Sequence, residues 1–313
     1  MRKKLVFWLK GLVLFGFCVV SIFLLGAGFN NTSYAYAEEG AIDSGPFSEA
    51  DANAHPVNGW DSKKEHYYEN GQQVCSKEIY DAKDKNWYWI DTNGSVARNK
   101  DVYLQSNGGK WVRYDAAGHM VKGEDYRYGA WYYFDTTTGA MAKGITHVSS
   151  NGGKWVYYDL TTGKMLYGER YVNYDQSHAG WYHFDENIGA MSYGFYFNSP
   201  QHKWVYYDHA SGQMLYGEQL INGHWYDFDE STGAMQYGFV HLSKSQKWVF
   251  YDRRMGWMLY GERPIDGAWY LLDAHTGAVQ YGWQRLGGKT VCYSWPSGKM
   301  MYGKQNVNNA TYY

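Results

Sequence analysis

Cysteine is almost missing from this 313-residue chain, which holds only Cys18, Cys75 and Cys292. Cys18 sits in an N-terminal apolar run behind Phe15-Gly16-Phe17, not behind the small residues of a lipoprotein box, and is read as apolar filler. Cys75 and Cys292 lie near opposite ends of the rest of the chain. Export would let them oxidise, but an extended fold holds them beyond bonding reach, so unpaired or buried thiols are expected. Proline is also scarce, with 5 residues. No basic stripe is present, which excludes nucleic acid as a partner. H-E-x-x-H and G-x-S-x-G are both missing, and with them the zinc-protease and serine-hydrolase signatures. The 11 histidines fall irregularly, and carboxylate pairs such as Asp229-Glu230 follow a strand into a solvated turn. The stretch before Trp87 is too short to bury a hydrolase core. The reading is a protein that is not an enzyme and needs no cofactor.

What the chain has instead is 33 Tyr, 15 Trp and 37 Gly. Tyr and Trp carry an apolar body with a polar tip, suited to half-exposed binding faces. Aromatics favour strands and glycines favour turns. The net charge is −2, but residues 1–37 hold four basic and no acidic side chains, leaving −6 for the remainder.

That basic start begins with Arg2, Lys3 and Lys4, and Gly11 to Phe29 follows as an uncharged apolar run. Ala35-Tyr36-Ala37 then offers the small residues of a cleavage site, so residues 1–37 are read as a signal peptide. The run is long enough nearly to span a bilayer, and a retained membrane anchor is the alternative. Residues 38–60 are small, acidic and polar without apolar periodicity, and are expected to be a disordered spacer.

Repetition governs everything after this. Trp87, Trp111, Trp131, Trp155, Trp181, Trp204, Trp225, Trp248 and Trp269 recur at intervals of 20 to 26 residues, and Thr290 takes the tenth position. In "WYYFDTTTGAMAKG", Trp131 to Phe134 has strand composition, Asp135 and Gly139 mark a turn, and a short strand carries Met141. Eight residues separate Trp from the turn Gly in eight units, and seven separate them in the units of Trp87 and Trp111. Two unit types alternate. One reads K-W-V-[YF]-Y-D and ends in Y-G-E; the other reads W-Y-x-[FL]-D and ends in Y-G-[FW]. A lone hairpin is barely stable in water, whereas stacked copies bury a continuous seam. The expected fold is an all-β solenoid of stacked β-hairpins, with degenerate repeats over 61–110 and the regular array over 111–313. Tyr312-Tyr313 reads as the start of a further, shortened unit.

These units resemble the cell-wall-binding repeats of Gram-positive surface proteins, the choline-binding repeats and the related glucan-binding "YG" repeats. The matching elements are Trp131 to Asp135, Gly139 with Met141, and Tyr193-Gly194. Similar units stand beside catalytic domains of secreted peptidoglycan hydrolases. The resemblance implies pockets between successive hairpins, walled by aromatic residues of adjoining units. In the choline-binding branch a Gly-Trp pair forms one wall. Behind a Tyr-Gly pair, Trp follows here only at Gly282-Trp283, with Phe195 and Phe239 or Glu169, Glu218 and Glu262 elsewhere.

The ligand-binding candidates are therefore Trp181, Tyr193, Trp204, Tyr216, Trp225, Tyr237, Trp248, Tyr260, Trp269, Tyr281 and Trp283. The competing reading makes the same rings the solenoid's core. The recurring Asp135, Asp159, Asp185, Asp208, Asp229, Asp252 and Asp273 stand singly, without the clustered oxygens of a calcium site, and are read as turn caps. The implied function is multivalent retention of this chain, or of a linked peptidoglycan hydrolase, on the cell wall. The partners implied are cell-wall polysaccharide, teichoic acid or peptidoglycan glycan, with choline-like groups a further candidate. A surface adhesin or spacer that meets host glycans or proteins is the alternative. Membrane contact enters only with an uncleaved signal segment. The first test is export: N-terminal sequencing of secreted protein should give Glu38 as the first residue, and an intact Met1 would identify the anchor.

Overall fold

A computed structural model describes residues 55–105, 108–303, 305–307 and 310–312. The segment read as an export signal and most of the spacer lie outside the described residues. Within these, the chain forms twelve small antiparallel sheets of two or three strands, and helix is limited to short 3-10 turns such as Ser199–Gln201. The first sheet already begins with Gly59–Trp60, inside the stretch read as spacer, paired to Tyr67–Glu69.

The repeating element is a five-residue hairpin. Gly217–Ile221 pairs with His224–Phe228 in the register Gly217↔Phe228, Leu220↔Trp225 and Ile221↔His224. Asn222 and Gly223 join the strands with φ of 50° and 82°, as a tight turn matched to strand twist requires. Asp266-Gly267 does the same one super-repeat later.

This places the hairpin one element earlier than the aromatic run suggests. The strand that pairs with each Trp strand precedes it, and from Gly168 onward it opens with the Gly of Tyr-Gly. The segment after the Asp-Gly turn makes mostly one-residue bridges, such as Phe228↔Met235 and Tyr207↔Met214. Its backbone is needed elsewhere. Met235 N–H donates to the carbonyl of Trp204 in the preceding unit at 2.8 Å, and Met214 N–H donates likewise to Trp181. The same bond links Met258 to Trp225, Val279 to Trp248 and Met300 to Trp269.

The side chain of the same residue reaches the other way. A Cβ added to Gly233 would lie 2.3 Å from Met214 Sδ, and one added to Gly256 would lie 2.2 Å from Met235 Sδ. From Gly139 to Gly277 each turn glycine thus seats the methionine of the unit before it. Gly233 also has φ +68°, a left-handed conformation that other residues adopt only at a cost. The two-way grip of Met and Gly is what stacks the hairpins.

Each Asp-Gly turn is closed by its own aspartate. Asp229 Oδ1 accepts from the Ser231 and Thr232 hydroxyls and from both of their backbone N–H groups. These bonds, the Ser231 hydroxyl first, hold its pKa down at about 2. Asp135 and Asp273 are lowered in the same way, chiefly by the backbone N–H of Thr138 and Thr276. Where Trp and Gly are seven apart the turn is one residue tighter, with Gly94 N–H bonded to Asp91 O and Gly118 N–H to Asp115 O.

The core lies in the second strand, but not at its tryptophan. Val205, Tyr207, Phe228, Val249, Tyr251 and Leu272 are fully buried, while the nine repeat tryptophans are all 39–48% exposed. The reading of these indoles as core is thereby overturned. Trp alternates outward at the start of the strand, whereas the residues one and three positions later face the neighbouring hairpins. Cys75, exposed, and Cys292, half-buried, are both free.

The interlock makes a direct prediction. Gly233→Ala should destabilise the array by about 2–4 kcal/mol, combining the left-handed backbone with overpacking against Met214. In the Gly233→Ala background, Met214→Ala should cost less than it does alone, because the clash has gone. Denaturant melts of the four proteins give the coupling, and simple additivity would rule out the contact.

Candidate functional site

The outward indoles end up beside cavities between successive units. One cavity of about 300 Å³ is lined by Phe195, Trp204, Tyr226, Met235 and Tyr237, with Arg254 and Met255 from the following turn at its rim. The hairpin supplies Phe195 and Trp204; the next unit supplies Tyr226, the bridging methionine and the Tyr of Tyr-Gly. Phe195 packs against Tyr206 and Tyr226 at centroid distances of 4.8 and 5.1 Å. One super-repeat earlier, Ile145, Trp155, Tyr182, Met191 and Tyr193 line a cavity of about 220 Å³ with Ala210 and Ser211 at the matching rim. One super-repeat later, Phe239 packs against Phe250 and Tyr270 at 4.8 and 4.9 Å, and Tyr281 meets Trp295 edge-on at 4.8 Å.

Between these aromatic steps lie steps of another kind. Glu169, Trp181, Met214 and Tyr216 enclose about 210 Å³ together with Gln201, Lys203, Ser231 and Thr232. Glu78, Trp87, Lys110, Met120, Thr137 and Thr138 enclose about 230 Å³ in the same arrangement. The second residue of the strand that precedes the Trp strand decides the character of each step: Phe or Ile in one kind, Glu in the other. At Glu169 and Glu262 the carboxylate is held from inside. Tyr207 OH donates to Glu169 Oε1 at 3.1 Å, and Tyr293 OH donates to Glu262 at 2.9 Å. Burial first, and the glutamate charge second, push the Tyr207 hydroxyl pKa well up.

The lysine of K-W-V works across the same junction. Lys110 Nζ donates to Thr138 O at 2.6 Å, Lys247 Nζ to Thr276 O at 2.8 Å, and Lys203 Nζ to Thr232 O. It satisfies a carbonyl of the next unit's turn, which explains why one unit type carries it.

One aromatic step is already filled. Arg113 stands where other units have Tyr157, Tyr206 or Phe250, and it is only 1% exposed. Its guanidinium forks onto Asp101 at 2.6 and 2.9 Å, reaches Asp125 at 2.8 Å, and lies 4.1 Å from the Tyr132 ring centroid. Both aspartates hold it charged.

The structure brings the sequence candidates together in pairs. Trp204 meets Tyr237, and Trp181 meets Tyr216; Tyr193 shares its step with Trp155, which sequence reasoning did not single out. Trp225, Trp248 and Trp269 are exposed on the equivalent strands, and Tyr260 and Tyr281 pack beside buried clusters. Trp283 stands opposite Cys292, the position Phe195 and Phe239 hold opposite Tyr206 and Phe250. Sequence reasoning missed the methionines and the wall residues Phe195 and Ile145. Their fixed places, two before Tyr-Gly and one after it, were the available signal.

Comparison with known proteins now bears on this geometry. The choline-binding repeat family model matches residues 104–144 and 200–237. Over these two segments the chain matches choline-binding repeats. The second matched segment contains Trp204, Met235 and Tyr237 of the open aromatic step, and the first contains the step filled by Arg113. Among solved structures, CbpJ from Streptococcus pneumoniae TIGR4 is similar at 22% identity and a TM-score of 0.60, over 78% of this chain and 93% of that one. Choline-binding protein F from Streptococcus pneumoniae gives 21% and 0.55, over 78% and 92%. They share the fold. No curated protein sequence matches the chain.

Within the second matched segment, one buried carboxylate is out of place. Asp227 takes the second-strand position that is Leu271 one super-repeat on, opposite Glu218 in its own hairpin. Burial, then the Glu218, Glu230 and Asp229 charges, raise its pKa to about 6. An unfolded aspartate titrates near 4. Its folded form therefore binds a proton between about pH 4 and 6 that the unfolded chain has lost, and ionising it above that range destabilises the fold. Asp227→Leu should raise stability by roughly 1–3 kcal/mol at pH 7 and by much less at pH ~4. Thermal melts at the two pH values decide it, and an equal gain at both would mean that only packing had changed.

Proposed function

We propose that this chain is a non-catalytic module that holds itself, or an enzyme it accompanies, on a Gram-positive cell wall. Choline-like quaternary ammonium groups of a wall polymer dock in its aromatic steps. The observation that carries this reading is the step of Phe195, Trp204, Tyr226 and Tyr237, where rings from two units converge on one small cavity. Ring faces attract a cation that has no N–H to donate, through their quadrupole. Supporting it, the guanidinium of Arg113 rests on Tyr132, the counterpart of Tyr226. Arg254 at the rim suits an anionic group beside the ammonium, such as a phosphate ester.

A single shallow step of this size gives weak binding, on the order of millimolar. Several steps on one array meet a polymer at high effective concentration, and linkage of this kind raises avidity by roughly 10²–10⁴. The function follows from repetition.

The test uses purified walls. Trp204→Ala with Tyr237→Ala should weaken wall retention modestly, and adding Trp155→Ala and Trp248→Ala should weaken it far more than in proportion. Melting should change little, because the removed rings are surface-exposed or half-buried. Free choline should elute the protein, while its uncharged tert-butyl analogue should not. Retention unaffected by the four changes would move the binding face elsewhere, and equal elution by both compounds would remove the role of charge.

A further inference from the structure

The glutamate-bearing steps are built differently, and the difference is repeated. The Trp181 and Trp87 cavities lie far apart in sequence, yet each sets an indole face against one glutamate, one lysine and two hydroxyl-bearing turn residues. The Trp87 cavity has no second aromatic wall, since Lys122 takes the Tyr place of Tyr-Gly. A quaternary ammonium needs several ring faces and offers a carboxylate no hydrogen to bond. One Glu and one Lys also leave the lining with no net formal charge, which favours a neutral ligand.

The carboxylate is oriented and still has capacity. Glu169 receives Tyr207 OH on one oxygen, and Gln201 and Asn198 side-chain amides at 3.3 and 3.4 Å on the other. A carboxylate offers about four acceptor sites, so it can accept at least one further donor. The ligand must therefore be neutral, carry an O–H donor beside a flat apolar face, and accept a bond from a hydroxyl or an ammonium.

We infer that these steps bind neutral hexopyranose rings, with the C–H face of the sugar on Trp181 or Trp87 and a ring hydroxyl donating to Glu169 or Glu78. The array then reads two chemistries in alternation, quaternary ammonium at the Phe or Ile steps and sugar at the Glu steps. This rests on the reading above only in taking a wall polymer as the partner.

Each of the four cavities carries its own reporter, because a methionine lines it. In the full chain with isotope-labelled methionine methyls, methyl glucoside or N-acetylglucosamine should shift the Met120 and Met214 resonances. Choline should shift Met191 and Met235. Trp181→Ala should abolish the sugar response of Met214 and leave that of Met120. Glu169→Gln, which keeps the shape of the step should the larger change disturb it, should weaken the Met214 response several-fold. Sugars that leave Met120 and Met214 unmoved, or choline that shifts these two, would overturn the inference. Failure of choline to shift Met191 and Met235 would count against the aromatic-step reading instead.

Discussion

The array depends on one backbone hydrogen bond repeated from unit to unit, from the N–H of a methionine, or of Val279 at one junction, to the carbonyl of the preceding tryptophan. A single such bond contributes only about 0.5–1.5 kcal/mol. It acts together with the methionine side chain, whose burial against the next turn glycine adds on the order of 2 kcal/mol. Neither hairpin of a pair has enough apolar surface to stand alone. Each unit is therefore held through its two neighbours, and stability becomes a sum of nearest-neighbour terms.

This bond also divides the tryptophan into two parts with separate duties. Its carbonyl holds the following unit, while its indole stays about two-fifths exposed. The side chain is thus released from the core, and its surroundings can vary without disturbing the stack. That variation sits at one position, the second residue of the strand that precedes each Trp strand. Phe195 there closes an aromatic step, Glu169 opens a polar one, and Asp101 pairs with Arg113. A fixed backbone repeat carries a changeable site.

Much of this was legible in the sequence. The unit length, the alternation of two unit types and the all-β stack followed from the spacing of Trp and Gly, because a turn glycine recurs only where the backbone demands it. The pairing partner of the aromatic strand was misplaced by one element. The Asp-Gly loop recurs in nearly every unit and drew the assignment, although Asn222-Gly223 and Asp266-Gly267 are the stronger two-residue hairpin signals and carry the five-residue ladders. The exposure of the indoles was not legible, since Trp has strand composition whether it faces in or out. The methionines were visible as a recurring position, but their role was not, because it is a contact between units that no period within one unit expresses.

The step at Arg113 shows what the rings accept and what limits them. Its guanidinium lies on Tyr132 with two aspartates to neutralise it, and the whole group is buried. Burial of a charge is tolerated only with such partners. In the open step Phe195 replaces Asp101, and the rim carries Arg254. A cation arriving there from solvent meets ring faces but neither of those carboxylate partners, so it must stay partly hydrated and weakly held. Weakness at each step is then a consequence of chemistry rather than of poor fit. On the proposed reading, an array that releases and rebinds along a polymer would gain its strength from the number of steps, and the interlocking methionines are what allow that number to grow.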